Sequence, residues 1–274
     1  SRIPRDGGRT GVAPVADLHV HTTASDGRLT LAELPERARE AGLAVVAVTD
    51  HDRIHPGLDA PVTARDDVTV VRGVELRVDA GDLRVDLLGY GVERTDALVS
   101  ELERVQRDRV ERATRMVDCV EAETGASLDV ALEPGVGRPH VAAAVGASDA
   151  PYDAAGAFAE LIGTDGPCYV ARDLPGFERG AELLRDACGL VALAHPLRYP
   201  DPERALALAP TLDGVERYYP YDGPTDATPV ERAVATHDLV PTGGSDAHGR
   251  TLGAAGLDCD GWERVIAHLP ETQS

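Results

Sequence analysis

Short runs of apolar residues alternate with amphipathic segments along most of this chain. Runs such as "AVVAV" at 44–48 and "LVALA" at 190–194 are typical of strands buried on both faces of a parallel sheet. Between such runs, helical spacing of apolar residues and capping signals predict helices. Strand–helix alternation of this kind predicts an α/β fold with a parallel, barrel-like sheet.

Turn and capping residues bound the predicted elements. Thr30 and Glu33 form a capping-box pair for a helix predicted over 30–41, and Gly42 stands at its C-terminal stop. Pro35 is expected to trim or bend the first turn of that helix. Further strands are predicted at 16–20, 68–71, 84–92, 190–194 and in "GVERY" and "LVPTGGSD", and further helices at 179–188, 202–208 and 229–237.

In the middle of the chain the spacing of apolar and charged residues becomes that of helices. Charged pairs spaced four apart from about 96 to 122 predict one long helix, and alanine-rich segments at 138–148 and 151–163 predict two more. We interpret 97–172 as an inserted helical subdomain, and 1–96 together with 173–274 as one discontinuous barrel domain. Within the latter, 1–14 is expected to be a loose leader outside the core.

Composition indicates a globular protein that packs with small side chains. Only 4% of the residues are aromatic, so Ala, Val and Leu must fill the core. No apolar run is as long as a membrane span, and no signal-peptide pattern opens the chain. The four cysteines are far apart without a C-x-x-C motif, so we expect them to be reduced and buried in a cytoplasmic protein; they are Cys119, Cys168, Cys188 and Cys259.

The charge balance is strongly acidic. The formal net charge is −20, and all 27 basic residues are arginine. Such a surface repels long nucleic acids at low salt. At molar salt the Debye length falls to about 3 Å, which removes most self-repulsion. The excess of acidic over basic residues favours a halophilic source. The alternative is an acidic protein whose arginine content reflects GC-rich codon bias.

Metal-ligand residue types follow the predicted strands. His19 and His21 lie two residues apart at the end of the first strand and would therefore point to the same face. The C-terminal ends of parallel strands in an α/β barrel meet at one mouth. Imidazoles and carboxylates gathered there predict a metal site rather than scattered surface histidines. The other residues in this pattern are His51, Glu75, His195, Asp246 and His248.

Six motifs spread over 16–255 resemble those of the PHP (polymerase and histidinol phosphatase) family of metal-dependent phosphoesterases. In chain order they are "DLHVHTTASDG", "VTDHD", "GVEL", "GRPHVA", "LAHP" and "GGSDAHG". The resemblance implies a distorted seven-stranded (β/α)7 barrel and three divalent metal ions. It implies nine ligands: His19, His21, Asp26, His51, Glu75, His140, His195, Asp246 and His248.

The resemblance also implies how those ligands divide among the metals. The first metal would be held by His19, His21, Glu75 and Asp246, the second by Asp26, His51 and His248, and the third by Glu75, His140 and His195. All donors are nitrogen or oxygen, which leaves Mn²⁺, Zn²⁺ and Fe²⁺ open. Asp50 is expected to orient an imidazole. His55, His237 and His268 match no ligand position, and a substrate role stays open for His55.

The resulting hypothesis is phosphoester hydrolysis by a metal-bridging hydroxide. Arg138 and Arg198 are expected to bind phosphate, because guanidinium groups suit phosphate oxygens. His248 or a metal-bound water would protonate the leaving oxygen, and Asp246 completes the catalytic set with Arg138. The "GRPH" insertion resembles the branch of AMP phosphatases, nucleoside 3′,5′-bisphosphate phosphatases and 5′→3′ exonucleases. The expected substrate is a small 5′-phosphorylated nucleotide or short RNA; the oligomeric state is open.

Two other functions fit parts of the pattern. Amidohydrolase-like deaminases also begin with H-x-H after the first barrel strand. Many of them bridge their metals with a carboxylated lysine, and this chain has no lysine. A catalytically silent metal-binding regulatory module is the other alternative, although such a module should have lost ligands and none is missing here.

The halophilic interpretation makes a prediction about stability. We expect the melting temperature to rise steeply between low and molar KCl, with the fold lost at low salt, because screening removes repulsion among the acidic side chains. Circular dichroism melting curves across a KCl series would test this. A melting temperature independent of KCl would instead favour the codon-bias explanation.

Overall fold

The computed structural model describes residues 13–272, so the leader predicted over 1–14 falls almost wholly outside the described residues. The strands are β1 Ala16–Val20, β2 Val45–Val48, β3 Val62–Arg65, β4 Val68–Asp79, β5 Arg84–Tyr90, β6 Leu190–Leu193, β7 Gly214–Tyr218 and β8 Val240–Gly243. The helices are α1 Leu34–Glu40, α2 Asp96–Thr124, α3 Arg138–Ala147, α4 Ala154–Gly156, α5 Phe177–Ala187, α6 Pro202–Leu206, α7 Thr228–His237 and α8 Cys259–Ile266. The sequence pattern predicts most of these elements but neither β3 nor α8.

Seven strands form one curved path in the order β1-β2-β4-β5-β6-β7-β8, and β3 pairs with β4 beside it. The path closes towards a barrel where Val20 bridges Ala247 and the His21 amide donates to the Ala247 carbonyl at 3.0 Å. The expected α/β fold with a distorted seven-stranded barrel is therefore confirmed. No helix among residues 13–272 is both long enough and apolar enough to cross a bilayer.

The parallel, barrel-like sheet expected from the sequence is interrupted by antiparallel strands, by β3 beside β4 and above all by β5. This strand pairs antiparallel with both β4 and β6, whereas β1, β2 and β4, like β6, β7 and β8, run parallel. For β4 and β5 the reason is the short connection 80–83, which can join only antiparallel neighbours. β4 is also longer than predicted, so Glu75 lies inside the strand rather than after it.

The first helix shows how local chemistry sets an element boundary. The Glu33 carboxylate accepts from the Thr30 amide at 3.0 Å, and the Glu33 amide donates to the Thr30 hydroxyl at 3.3 Å, so the capping-box pair forms. Residues 31–33 are nevertheless a turn, and α1 begins at Leu34 with Pro35 in its first turn. Proline trims the predicted helix because it lacks the amide hydrogen.

One buried carboxylate holds the last loop of the barrel against the first strand. Asp17 accepts from the Ser245 amide at 2.8 Å, the Ser245 hydroxyl at 2.6 Å and the Gly253 amide at 2.8 Å. The loop approaches so closely that a Cβ on Gly244 would collide with the backbone of His19. Gly244, the second glycine of "GGSDAHG", therefore allows residues 245–248 to reach the end of β1.

The central helices form a core of their own. The first turns of α2 place Leu98 and Leu102 in the barrel core, whereas its second half packs with α3 and residues 157–170 in a separate apolar cluster. Packing of this kind is compatible with the inserted subdomain predicted over 97–172.

A disulfide corrects one expectation about the cysteines. Cys119 of α2 and Cys168 are bonded with their Cα atoms 5.5 Å apart, so the expectation that all four cysteines are reduced is wrong. The two cysteines lie 49 residues apart in the sequence, and a separation of this length does not predict a disulfide. The two free cysteines also differ from the expectation of burial, since Cys188 is half-buried and Cys259 is exposed.

Asp52 joins the central helices to the barrel. Its buried carboxylate accepts from the Arg109 guanidinium of α2 at 2.6 Å, from the Arg172 guanidinium at 2.5 Å, and from the Arg77 amide of β4 at 3.1 Å. Burial alone would favour the neutral acid, but Arg172 and Arg109 outweigh it and lower the pKa of Asp52. A carboxylate shared by two arginines thus fixes three segments at one point.

Replacing Asp52 by asparagine should destabilise the fold by about 3 kcal/mol, because two buried guanidinium groups lose their only carboxylate partner among the described residues. Since the pKa of Asp52 is lowered on folding, its contribution is complete above the unfolded-state value of about 4 and declines as pH falls below it. Urea titration at neutral pH measures the change. The control is Asp82→Asn, a largely exposed partner of Arg204; equal stability of the two variants would contradict the assignment.

Candidate metal centre

The described residues contain three groups of side chains able to hold a cation, all at one end of the barrel. In each group, one ligand atom per residue lies within 4.8 Å of the others. The first group is His19, His21, Glu75 and Asp246; the second is His21, Asp26, His51 and His248; the third is Glu75, Asp86 and His195. Eight of the nine residues expected from the sequence are thereby brought together.

The first group forms where β1 ends. The Nε2 atoms of His19 and His21 lie 3.5 and 3.3 Å from Glu75 Oε2, and 3.4 and 3.1 Å from Asp246 Oδ1. Both imidazoles are completely buried. Two rings from one strand and two carboxylates from elsewhere therefore converge on one small volume, as the i, i+2 spacing predicts.

The second group lies nearer the solvent. His51 Nε2 is 3.8 Å from Asp26 Oδ2, and His248 Nε2 is 3.3 Å from Asp26 Oδ1. The His21 ring packs against both neighbouring imidazoles, with centroid separations of 4.3 Å to His51 and 4.2 Å to His248. The His248 side chain is 39% exposed, which places this group at the mouth.

The third group differs from the expectation. His195 Nε2 lies 3.0 Å from Glu75 Oε1 and 3.7 Å from Asp86 Oδ2. His140 joins none of the three groups in residues 13–272; its Nδ1 accepts from the Gly137 amide at 3.1 Å and caps its own helix. Asp86 lies next to His195 because β5 pairs with β6, and the Ala194 amide, just before His195, donates to the Asp86 carbonyl at 3.0 Å.

The donor atoms of these groups fit cations. Buried polar atoms normally have hydrogen-bond partners. Within the described part of the chain, several buried nitrogen and oxygen atoms of the ligand groups have none: His19 Nε2, His21 Nδ1 and Nε2, Asp26 Oδ1, Glu75 Oε2 and His195 Nδ1. Nitrogen and oxygen atoms left unpaired around shared centres are what a site for Zn²⁺, Mn²⁺ or Fe²⁺ requires.

Charge within the groups is strongly coupled. Burial opposes ionisation of Glu75, but His51 and His19 outweigh it and hold the pKa of Glu75 well below its ordinary value. Burial opposes protonation of His51, yet Glu75 raises the pKa of His51 to about 9. For His21, burial and the neighbouring His51 lower the pKa. His51 and Glu75 thus stabilise each other's charged forms, and a cation bound beside Glu75 would compete with the proton of His51.

Two further carboxylates position the ligands. Glu216 of β7 is completely buried; its carboxylate lies 3.0 Å from His19 Nδ1 and accepts from the His195 amide at 2.7 Å. Contact at Nδ1 leaves Nε2 of His19 facing the first group. Asp50 was expected to orient an imidazole, but it accepts from the Thr22 amide and hydroxyl, both at 2.7 Å, and so orders the loop before Asp26.

The two candidate phosphate-binding arginines lie in different surroundings. Arg198 donates to Asp246 Oδ2 at 2.9 Å and to the Tyr219 hydroxyl at 2.9 Å, and Tyr219 donates to the same Asp246 oxygen at 2.8 Å. This arginine is half-exposed beside the first group. Arg138 begins α3 and stacks on two aromatic rings of the central helical region.

Backbone strain is concentrated at the site. His195 and Asp246 have backbone φ values of 27° and 51°. Residues other than glycine rarely adopt positive φ values. Asp52, directly after His51, has a φ of 50°. Surrounding contacts hold these residues in unfavourable conformations, as at many functional sites.

The sequence interpretation missed two site residues for one reason. Asp86 and Glu216 both lie inside strands, in "RVDLLGY" and "GVERY", where their neighbours are apolar and buried. An acidic residue within a buried strand is the sequence feature that identifies such residues.

Of the histidines outside the ligand set, His55 is buried and its Nδ1 accepts from the Gly57 amide at 3.0 Å.

Comparison with known proteins agrees with this geometry. A family model for the PHP domain matches residues 17–138. A 3′,5′-nucleoside bisphosphate phosphatase from Chromobacterium violaceum is 30% identical over 256 residues, covering 85% of this chain and 86% of that protein. A phosphoribosyl 1,2-cyclic phosphate 1,2-diphosphodiesterase from Eggerthella lenta is 32% identical over 258 residues, covering 86% and 95%.

A solved structure supports the same relationship. The protein, from Bifidobacterium adolescentis and assigned as a metal-dependent phosphoesterase, superposes with a TM-score of 0.80 at 25% identity. The superposition covers 95% of this chain and 99% of the other. Similarity over nearly the whole length, together with the clustered ligands, shows that this chain belongs to the PHP-domain family of metal-dependent phosphoesterases.

Proposed function

We propose that this enzyme hydrolyses the phosphoester of small 5′-phosphorylated nucleotides. The observation that carries the proposal is the sharing of ligands among the three groups, since Glu75 belongs to two of them and His21 to two. Cations in adjoining groups would lie close enough to act on one phosphate. The names of the two relatives, a nucleoside bisphosphatase and a phosphoribosyl cyclic diphosphodiesterase, support a phosphorylated sugar in the substrate.

We further propose three divalent ions, Mn²⁺, Zn²⁺ or Fe²⁺, with Asp86 in the place that sequence reasoning gave to His140. The ligands would be His19, His21, Asp26, His51, Glu75, Asp86, His195, Asp246 and His248. When bound, such ions supply Lewis-acid chemistry, activating water as a nucleophile and neutralising phosphoryl oxygens.

The chain's own residues would orient the substrate. Arg198 is fixed by Asp246 and Tyr219 and remains half-exposed, so its free guanidinium hydrogens can bind a phosphoryl oxygen at the mouth. His248 lies at the solvent edge of the second group and is the candidate for giving a proton to the leaving oxygen. Arg138 is the second phosphate-binding candidate and lies on the helical region.

The region 97–172 would act as a lid that selects the nucleoside end of the substrate. Its attachment through Asp52, the residue after His51, supports a position beside the mouth. A short 5′-phosphorylated RNA remains an alternative substrate to a mononucleotide. Cytoplasmic location, a halophilic source and weak binding of long nucleic acids at low salt remain predictions, as does the identity of the metals.

Deamination or amide hydrolysis is the competing function, since amidohydrolase-like enzymes also carry an H-x-H motif after the first barrel strand. The silent regulatory module is the remaining alternative, and the complete ligand groups argue against it. Both are separated from phosphoester hydrolysis by the product released.

The metal assignment predicts a difference between two variants. Asp86→Asn should lose about one bound ion per chain, because the third group would lose its carboxylate, whereas His140→Ala should keep all of them. Inductively coupled plasma mass spectrometry on Mn²⁺-loaded, desalted protein measures the count, and melting curves check the folding of each variant. Loss of an ion in His140→Ala alone would restore the original assignment.

The substrate proposal predicts phosphate release from AMP, adenosine 3′,5′-bisphosphate or a 5′-phosphorylated trinucleotide in Mn²⁺. Chromatography of the products distinguishes phosphate from a released mononucleotide. His51→Ala and Asp246→Ala should each lower kcat by at least about a hundredfold, because each removes a ligand at the mouth. The control is His237→Ala, at the end of α7 and outside the ligand groups. Ammonia from adenosine without phosphate from any nucleotide would establish the competing function.

A further inference from the structure

The two carboxylate oxygens of Asp246 have different surroundings. Oδ1 faces the first ligand group, where His21 Nε2 lies at 3.1 Å and His19 Nε2 at 3.4 Å. Oδ2 accepts two hydrogen bonds, from the Tyr219 hydroxyl at 2.8 Å and from the Arg198 guanidinium at 2.9 Å. The oxygen that faces the candidate cation site and the oxygen held by other side chains are therefore distinct atoms.

Tyr219 uses its own hydrogen for Asp246. A guanidinium group has donors only, and Arg198 Nη1 donates to the Tyr219 oxygen at 2.9 Å. The hydroxyl hydrogen of Tyr219 is then free to donate to Asp246 Oδ2. Hydrogen bonds to an ionised acceptor are among the stronger ones in proteins. Two such donors would have to be displaced before Oδ2 could bind a cation.

The end of β7 brings Tyr219 to the ligand groups. Strand alternation would turn Glu216 and Tyr219, which are three residues apart, to opposite faces. Between Glu216 and Tyr218, however, β7 has one residue more than β8, because these two residues pair with consecutive residues of β8. An extra residue of this kind re-aims the side chains that follow it. Glu216 contacts His19 and Tyr219 contacts Asp246, so both face the site.

The ring of Tyr219 is packed on two sides. It meets the His195 ring in a T-shaped arrangement with a centroid separation of 5.5 Å, and it lies 4.7 Å from the Tyr221 ring. The Tyr221 hydroxyl accepts from the Leu197 amide at 3.2 Å, within the turn that carries Arg198. Aromatic contacts of this kind restrict the orientation of a ring. The Tyr219 hydroxyl therefore has a defined position.

The backbone alone does not favour the position of Asp246. Its φ of 51° is unfavourable for a residue with a side chain. The Gly244 amide donates to the Tyr218 carbonyl at 3.0 Å, which holds the preceding loop against the end of β7 but does not orient the carboxylate. Orientation of the carboxylate comes from the hydrogen bonds of Arg198 and Tyr219 to Oδ2.

Binding through a single oxygen has a chemical consequence. A carboxylate can bind a divalent cation through one oxygen or through both. A catalytic metal keeps a coordination position open for water or substrate, and a second carboxylate oxygen would fill such a position. Donors at Oδ2 prevent Asp246 from supplying that second oxygen.

We propose that Tyr219 and Arg198 are positioning residues that hold Asp246 as a one-oxygen ligand of the first group. The inference rests on the proposed function, in which Asp246 binds a cation. Tyr219 lies outside all six sequence motifs. It acts only through Asp246, whereas Arg198 acts through Asp246 and also on the phosphoryl oxygen of the substrate.

The first test measures Mn²⁺ binding to the metal-free protein, without substrate, by equilibrium dialysis and inductively coupled plasma mass spectrometry. Tyr219→Phe should raise the dissociation constant of one ion per chain at least about tenfold, because loss of a contact behind a ligand typically weakens metal binding by that factor or more. The matched control is Tyr218→Phe. The Tyr218 ring packs against the core, its hydroxyl makes no hydrogen bond to the described residues, and the variant should bind Mn²⁺ as wild type does.

The second test separates positioning from general damage to the fold. Excess Mn²⁺ should restore most of the kcat of Tyr219→Phe towards AMP, and KM for AMP should stay within about twofold of wild type, because Tyr219 does not contact the substrate. Arg198→Met removes the other donor to the same oxygen and should also weaken Mn²⁺ binding. Unlike Tyr219→Phe, it should raise KM for AMP, because a charge-assisted contact to phosphate is lost.

Unchanged Mn²⁺ binding in Tyr219→Phe, an equal loss in Tyr218→Phe, or a fall in kcat that excess Mn²⁺ does not reverse would overturn the positioning role. If melting curves show that Tyr219→Phe does not fold, Arg198→Met tests the same oxygen with a half-exposed side chain, and unchanged Mn²⁺ binding there would overturn the role too. Absence of phosphate release by Mn²⁺-loaded wild type would instead overturn the proposed function, because the dialysis measurement requires no substrate.

Discussion

The structure depends on compensating one buried carboxylate, that of Glu75. Its two oxygens lie within 3.5 Å of nitrogens from four histidines: His19, His21, His51 and His195. A carboxylate buried to this degree is costly unless positive charge surrounds it. β4 extends beyond the end of β2 and brings Glu75 to the level of His51, and this difference in strand length makes the convergence possible.

The sequence predicts those candidate site residues that lie on a strand at two-residue spacing or directly after a strand end. His19 and His21 could be placed on one face from spacing alone, and strand ends in an α/β barrel share one mouth. The sequence does not show that Asp86 lies beside His195 or that His140 caps α3, because the first follows from the pairing of β5 with β6 and the second from a contact within that helix. The Cys119–Cys168 bond likewise depends on packing between segments 49 residues apart.

Charge is distributed unevenly between the surface and the interior of this enzyme. The formal net charge is −20, yet arginines are collected beside the metal centre, where Asp52 and Asp86 bind them. A local concentration of arginine in an otherwise acidic protein makes this region more favourable to anions than the rest of the surface. The ion pairs of Asp52 also connect the helical region to the residue that directly follows His51, a candidate metal ligand.

The contact between β1 and the loop after β8 joins segments that are synthesised at very different times. Asp17 and Ser245 are 228 residues apart, and their hydrogen bonds bring Asp246 to His19. On a ribosome, the histidines of β1 emerge long before Asp246 does, so a growing polypeptide has no complete ligand group of the first kind. Closing so long a loop is an entropically late event in folding. Capture of an ion by the first group would therefore wait until Asp246 has been synthesised and has reached β1.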